Sequence, residues 1–459
     1  MPIIHQKQKK TYFTSNSKDT HKGLDHGCQT KNRNPNEQKV NNTMKKTGCD
    51  DYEQTFLTVE EALQRIAQEL QPIGGEEQLV IRSALSRILA EDVLSQINVP
   101  PHENSAMDGY AVRSADLPTE GKVQLSLIGT SLAGQPYTGT IQTGQCARIF
   151  TGAVIPAGTD TIIMQEHVEK QGDSITIGAE HKKGQHVRPI GEDIAIGQTV
   201  LKAGKSLSPA DIGLLASLGI PEVKVKRRLR VAFFSTGDEL CAVGEVLQPG
   251  QIYDSNRYTL YGMLSRLGVD IIDMGVVRDK PEDIENAFLS AASSHDAIIT
   301  SGGVSVGEAD YVTETLRRVG EVNFWKVAMK PGKPLTFGKI KKSQNAVFFG
   351  LPGNPVSAMV TFYQFVQPAL QRLMGQNVVI PKRFTVPCIS SLKKRPGRME
   401  FQRGILENDE QGNLVVRSTG KQGSGILSSM SQANCFIVLP RECGNVAAGN
   451  EVQVELFGD

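Results

Sequence analysis

Acidic residues sit on loops of this chain where an anion site would be expected. Asp238 and Glu239 follow the apolar run at 229–236, and Asp279 follows the run at 269–277. Glu308 and Asp310 come after "DAIIT" and the glycines Gly302 and Gly303. A glycine loop leaving a buried strand can turn with positive φ and offer backbone N–H groups to a phosphate. Carboxylates beside it repel that phosphate unless a hard cation lies between them. Mg2+, which takes one or two carboxylates plus phosphate oxygens, removes the conflict. The bland alternative is that each acid only caps its helix or favours its dipole. Neither GxGxxG nor GxxxxGK[ST] occurs, so no standard dinucleotide or P-loop signature is present.

Cations complement these acids. In "WKVAMKPGKPLTFG" (325–338) an extended backbone places Lys326 and Lys330 on one face, with Lys333 in the Pro-Gly-Lys-Pro turn. An edge strand protected by lysines is the competing reading. "RPGR" (395–398) and Arg403 are candidates to close an anion pocket from the C-terminal region. Asp108 beside Gly109 reads equally as a site acid or a tight Asp-Gly turn. Thr151-Gly152 and "GEDI" (191–194) are similarly two-sided. Histidines and cysteines do not cluster at metal spacing, which argues against zinc.

The elements that must position these residues alternate. From 229 onward, strand-like and helix-like segments follow one another: 229–236, 255–268, 269–277, 280–292, 296–300, about 310–319, and "NPVSAMVTFYQFVQPALQRLMG" at 354–375. Such alternation predicts a parallel sheet covered on both faces, with ligands beyond the carboxyl ends of its strands. In the last segment Asn354 is the expected N-cap and Pro355 the first helical residue. Upstream, Thr58 and Glu61 form a capping box before an amphipathic helix, 84–95 continues in helical period, and Ser208-Pro209 opens another helix that Gly219 closes. Between these helices, 99–188 reads as an inserted β domain of short alternating strands, and 377–459 returns to strands and turns.

The totals set bounds. The chain has 459 residues, enough for three or four domains, and a net charge of +1, which gives no argument for bulk nucleic-acid binding and leaves any anion site local. Seven dispersed cysteines fit reduced thiols in a cytoplasm. No apolar run is long enough for a membrane span. Residues 1–50 carry ten Lys/Arg, four Asp/Glu and few apolar residues, the composition of a disordered extension. A translation start at Met44 is the alternative reading of that segment.

Taken together, "PPHENSAMDGYAVR", "TGAVIPAGTDTIIMQE", "GEDI", "STGDEL", "GQIYDSNRYTL", "TSGGVSVGEADY", "KPGKPLTFG" and "GLPGNPVSA" resemble the MoeA family of molybdopterin molybdenumtransferases, to which the gephyrin C-terminal domain is related. The resemblance covers about 55–459. It implies a multidomain α/β plus β protein. Its parts are a helical/linker domain (51–98 and 189–228), the inserted β domain (99–188), a molybdopterin-binding-like α/β domain (229–376) and a C-terminal β domain (377–459). It also implies a homodimer whose cleft joins the α/β domain of one protomer to the inserted domain of the other. The implied activity inserts molybdenum from molybdate into adenylylated molybdopterin, with release of AMP and help from Mg2+. Carried over residue by residue, the catalytic candidates are Asp108, Thr151, Asp193, Glu239, Asp279 and Asp310. Of these, Glu239, Asp279 and Asp310 are the implied Mg2+ ligands. The substrate-binding candidates are Gly302, Gly303, Ser305, Lys326, Lys330, Lys333, Pro352 and Gly353. Contact with the molybdopterin adenylyltransferase is a further implied partnership; nucleic acid and membrane are not expected. Rival readings are the adenylyltransferase itself, a non-enzymatic scaffold like gephyrin, and a generic phosphate-ester hydrolase.

Overall fold

The computed structural model describes residues 56–302, 311–341, 346–377 and 381–457. The expectation for residues 1–50 lies outside the described residues, as do Gly303, Ser305, Glu308 and Asp310.

The first helix, α1 (Val59–Glu69), begins as its sequence demands: Thr58 Oγ1 accepts from Glu61 N–H, and the Glu61 carboxylate accepts from Thr58 N–H at 2.8 Å. Its buried face, Val59, Ala62 and Ile66, joins the main core. The second helix, α2 (Pro209–Ser217), has the same device in Ser208 and Asp211, and Gly219 turns the chain out at φ +71°. The expected helix at 84–95 does not form. A 3-10 turn covers Ile81–Ala84, and Ser86 takes φ +62°. Ile88 and Leu89 are recruited into bridges with Ser206 and Val225. Tertiary pairing overrides the local period there. Ala84 and Leu89 are buried among Leu201, Leu215 and Val225.

The inserted segment forms a six-stranded sheet in the spatial order Thr161–Met164, Gly109–Val112, Gln145–Ile149, Lys122–Ser131, Ser174–Gly178, Val168–Gln171.

From residue 230 the chain builds a second six-stranded sheet from β1 (Arg230–Thr236), β2 (Asp270–Val277), β3 (Ala297–Ser301), β4 (Gly320–Lys326), β6 (Pro334–Ile340) and β7 (Val347–Leu351). A two-residue strand, β5 (Met329–Lys330), lies between β4 and β6 in the chain but belongs to the C-terminal sheet. The spatial order is β2-β1-β3-β7-β6-β4. β2, β1, β3 and β7 run parallel, as expected, but β6 lies antiparallel to both β7 and β4, so the sheet is mixed. The reason is connectivity: β4 returns to β6, and β6 to β7, through connections too short for crossover helices. Helices α3 (Ser255–Leu267), α4 (Pro281–Ser294) and α5 (Tyr311–Val319) connect the parallel part. The strands are apolar on both faces because both are covered. Val231, Phe233 and Ile299 face α3 and α1, whereas Ala232, Phe234 and Ile298 pack with Ile284, Phe288 and Leu316.

The segment at 354–375 is helical but interrupted. α6 (Pro355–Thr361) passes through a π turn at Phe362–Val366 into α7 (Gln367–Leu373). Pro368 lacks the amide that would bond back to residue 364, and its ring crowds that carbonyl. Asn354 makes no side-chain capping bond, contrary to expectation.

The C-terminal sheet runs from β5 through β8 (Met399–Asn408), Cys435–Leu439 and Glu451–Leu456 to Arg383–Pro387. Met329 and Lys330 pair in parallel with Met399 and Glu400.

Candidate active site

A cavity of about 600 Å³ opens at the carboxyl edge of the mixed sheet. Thr236, Gly237 and Glu239 come from the end of β1 and its loop, Asp279 from the loop after β2, Gly302 from the tip of β3, and Pro352, Gly353 and Asn354 from the tip of β7. Lys330 to Pro334 also line it, and the C-terminal region adds Arg398, Gln422, Gly423 and Ser424. Strand tips that diverge from one edge make such a crevice in open α/β sheets.

Two glycines are required by close approach. At Gly302, φ is +91° and a Cβ would lie 2.6 Å from the Thr236 carbonyl oxygen. At Gly332, φ is +96° and a Cβ would lie 2.7 Å from Thr361 Oγ1. Gly302 does not serve as an open donor, however. Its N–H donates to the Leu351 carbonyl at 3.1 Å. Its function is to let β1, β3 and β7 converge, which corrects the phosphate-cradle reading for this residue.

Three cations line the same cavity. Lys330 Nζ donates to Glu400 Oε1 at 3.2 Å. Glu400 is 4% exposed, and its other oxygen accepts from Gln402 Nε2 at 3.1 Å. Lys333 Nζ sits 4.6 Å from the centre of the Phe56 ring, a cation–π contact. Arg398 comes from the "RPGR" turn. Arg403, by contrast, is 1% exposed and does not line the cavity. Its guanidinium donates to Ser429 Oγ and to the Gly423 carbonyl, both at 3.0 Å. Burial draws its pKa down to about 10. It therefore fixes the cavity wall at Gly423 from behind.

Lys326 is also outside the lining. β4 ends at Lys326, and Val327 and Ala328 break the extended period, so Lys326 and Lys330 are not successive residues on one strand face. Asp108, Thr151 and Asp193 lie away from this cavity. Asp108 and Thr151 form a unit of their own in the inserted sheet. Asp108 Oδ1 accepts from Thr151 N–H and Oγ1–H, each at 2.8 Å. These two donors, the backbone one first, hold the Asp108 carboxyl below its ordinary range. Asp193 is exposed and donates its N–H to the Val99 carbonyl at 3.0 Å.

Glu239 and Asp279 bring two carboxylates to one cavity. Among the described residues no group of three His, Cys, Asp or Glu side chains could hold a metal ion. Two carboxylates suit Mg2+, which completes its shell with water and substrate oxygens, so this donor set fits such a cation. Sequence reasoning missed Glu400 and Asn256 as contributors. "RPGRME" carries no signal that its glutamate reaches a lysine 70 residues away.

Residues 57–219 match the MoeA N-terminal region (domain I and II), 232–372 match the family described as "Probable molybdopterin binding domain", and 385–457 match the MoeA C-terminal region (domain IV). The chain belongs to the MoeA family. This MoeA chain is 49% identical over 404 residues to a molybdopterin molybdenumtransferase of Haemophilus influenzae, covering 88% of this chain and 99% of that one. A molybdopterin molybdenumtransferase of Nostoc sp. is 38% identical over 384 residues, covering 81% and 86%. The crystal structure of the molybdopterin biosynthesis MoeA protein of Pyrococcus horikoshii superposes with a TM-score of 0.76 at 29% identity, covering 88% of this chain and all of that one. The multidomain α/β plus β architecture expected from the sequence is thus that of the MoeA fold. Among the described residues no helix is long and apolar enough to cross a membrane.

Proposed function

We propose that this chain is a molybdopterin molybdenumtransferase that inserts molybdenum from molybdate into adenylylated molybdopterin, releasing AMP and forming molybdenum cofactor. The observation that carries the reading is the composition of one cavity, lined by Lys330, Lys333 and Arg398 together with Glu239 and Asp279. A site for a neutral ligand needs neither set. A site for an oxyanion and a phosphoanhydride together needs both.

In this reading Lys330, Lys333 and Arg398 take up oxyanion charge and hold the anion against the Gly332 turn. Glu239 and Asp279 hold Mg2+, which neutralises phosphate charge when bound. Asp310, outside the described residues, is proposed as the third acid. Asp108, Thr151 and Asp193 act on the cavity of a second protomer, which their absence from the lining of their own chain's cavity supports. A homodimer is further supported by exposed apolar side chains on α3 and the edge strand β2: Tyr258, Tyr261 and Ile272. The proposed domain division (51–98 with 189–228, 99–188, 229–376, 377–459) is supported by the separate sheets. The cytoplasm is the proposed compartment, and the adenylyltransferase that supplies the substrate is a proposed partner.

The test is anaerobic incubation with adenylylated molybdopterin, molybdate and Mg2+. AMP release coupled to molybdenum bound on the pterin is expected. AMP release indifferent to molybdate would overturn the reading, and adenylylated product formed from molybdopterin and ATP would assign the rival activity.

A further inference from the structure

We propose that Asn256 is a positioning residue of this cavity, whose side-chain amide braces the two strand tips that form its floor; the inference rests on the functional reading above. Asn256 is the second residue of α3, two positions after the cap Asp254, whose Oδ1 accepts the Arg257 N–H at 3.1 Å. It is 9% exposed. Its Nδ2 donates to Ser301 Oγ at 2.7 Å and to the Gly353 carbonyl at 2.7 Å. A backbone carbonyl only accepts, so the amide nitrogen must face Gly353, and the orientation of the group is determined.

Ser301 ends β3 and precedes Gly302; Gly353 follows β7 by two residues. These tips already touch: Gly302 N–H bonds to the Leu351 carbonyl, and a methyl placed on Gly353 would lie 3.9 Å from Gly302 Cα. One side chain therefore ties the start of a helix to two adjacent loops that both line the cavity. The remaining atom of the amide argues for a positional role. Asn256 Oδ1 is buried with no protein hydrogen-bond partner among the described residues, as are Ser235 Oγ, Thr236 Oγ1 and Thr300 Oγ1 at the same sheet edge. An orphaned buried carbonyl is costly, and an apolar residue of similar volume would avoid that cost. The amide's two N–H groups, by contrast, both reach strand-tip acceptors.

Two readouts on the full chain test this. Amide exchange at Gly302 reports the brace directly, and steady-state molybdenum insertion reports its consequence. Asn256→Ala is expected to speed Gly302 exchange about tenfold relative to Ile299. It should also lower kcat/KM about tenfold or more, mostly through kcat, because displaced tips misalign bound substrate. Asn256→Asp keeps the volume and lacks both donors; with an unchanged unfolding midpoint it should show the same two effects, and it carries the test if the alanine variant does not fold. Ser301→Ala should cost activity in the wild type and nothing further in Asn256→Ala, the coupling expected of one brace. Unchanged Gly302 exchange with kcat/KM within about twofold in both Asn256 variants overturns the proposal, as do additive losses in the double variant. A wild type that inserts no molybdenum would remove the functional reading, while the exchange data would still decide the brace.

Discussion

A buried carboxylate behind Lys330 distinguishes it from a solvated surface lysine. Glu400 accepts from the ammonium and shares the neutralisation of its charge between Lys330 and the buried Lys394. Lys330→Met should therefore do two things at once. Molybdate affinity, measured by calorimetry, should fall about tenfold or more. Orphaning Glu400 should lower stability by about 1–3 kcal/mol in denaturant titration. Full stability and affinity in the variant would show that the pair is incidental. Asp108 offers a second residue-level measurement. Thr151 holds its pKa low, so Asp108 stays ionised until the solution is well into acid. Thr151→Val removes the hydroxyl donor but keeps the backbone one, and carbon-detected NMR titration should show Asp108 protonating at higher pH than in the wild type. An unmoved titration curve would contradict that cause. At this scale the sequence was legible where chemistry and turn coincide. Glu239 and Asp279 follow strands, and loops that follow parallel strands share an edge. Glu400 was not, because its partner lies far along the chain and nothing local marks it, and Asn256, though inside the "GQIYDSNRYTL" stretch, has partners 45 and 97 residues away.

Among the elements, the capped helices and the β1, β2 and β3 strands could be read directly, since their caps and apolar runs agree with the final packing. The segment 84–95 could not: its helical spacing of apolar residues also suits a chain pinned at Ile88 and Leu89 by distant strands. The reversal of β6 was similarly hidden, because apolar runs do not encode strand direction. One ion pair secures the opposite end of this sheet. Asp296, at the entry to β3, accepts from both terminal nitrogens of Arg227 at 2.7 and 2.8 Å and from the Arg230 N–H at 2.8 Å. Burial alone would raise its pKa, but these donors outweigh burial and lower it. A carboxyl with a depressed folded-state pKa contributes stability above its unfolded pKa and loses it as pH falls through the folded one. Asp296→Asn should accordingly cost about 2 kcal/mol near neutrality and flatten the acid limb of stability against pH. A variant as acid-sensitive as the wild type would refute this assignment.

For the whole molecule, separating Asp108 from Glu239 makes a prediction that no single-chain site would share. Mixed at equal amounts and allowed to exchange subunits, Asp108→Ala and Glu239→Ala protomers should recover about a quarter of wild-type activity, because half the dimers carry one intact site of two. No recovery despite demonstrated exchange would place both residues in one protomer's site.

The two-residue strand β5 has a consequence of its own. Lys330 is covalently part of the mixed sheet's return path yet hydrogen-bonded into the C-terminal sheet beside Met399 and Glu400. An oxyanion bound by Lys330, Lys333 and Arg398 would therefore rivet two separately built layers together. Occupancy should register mechanically: molybdate ought to raise the force or temperature at which the C-terminal sheet peels away, in proportion to RT ln(1 + [L]/Kd). Affinity for the anion and stiffness of that seam are then one property, and selection on either alters the other.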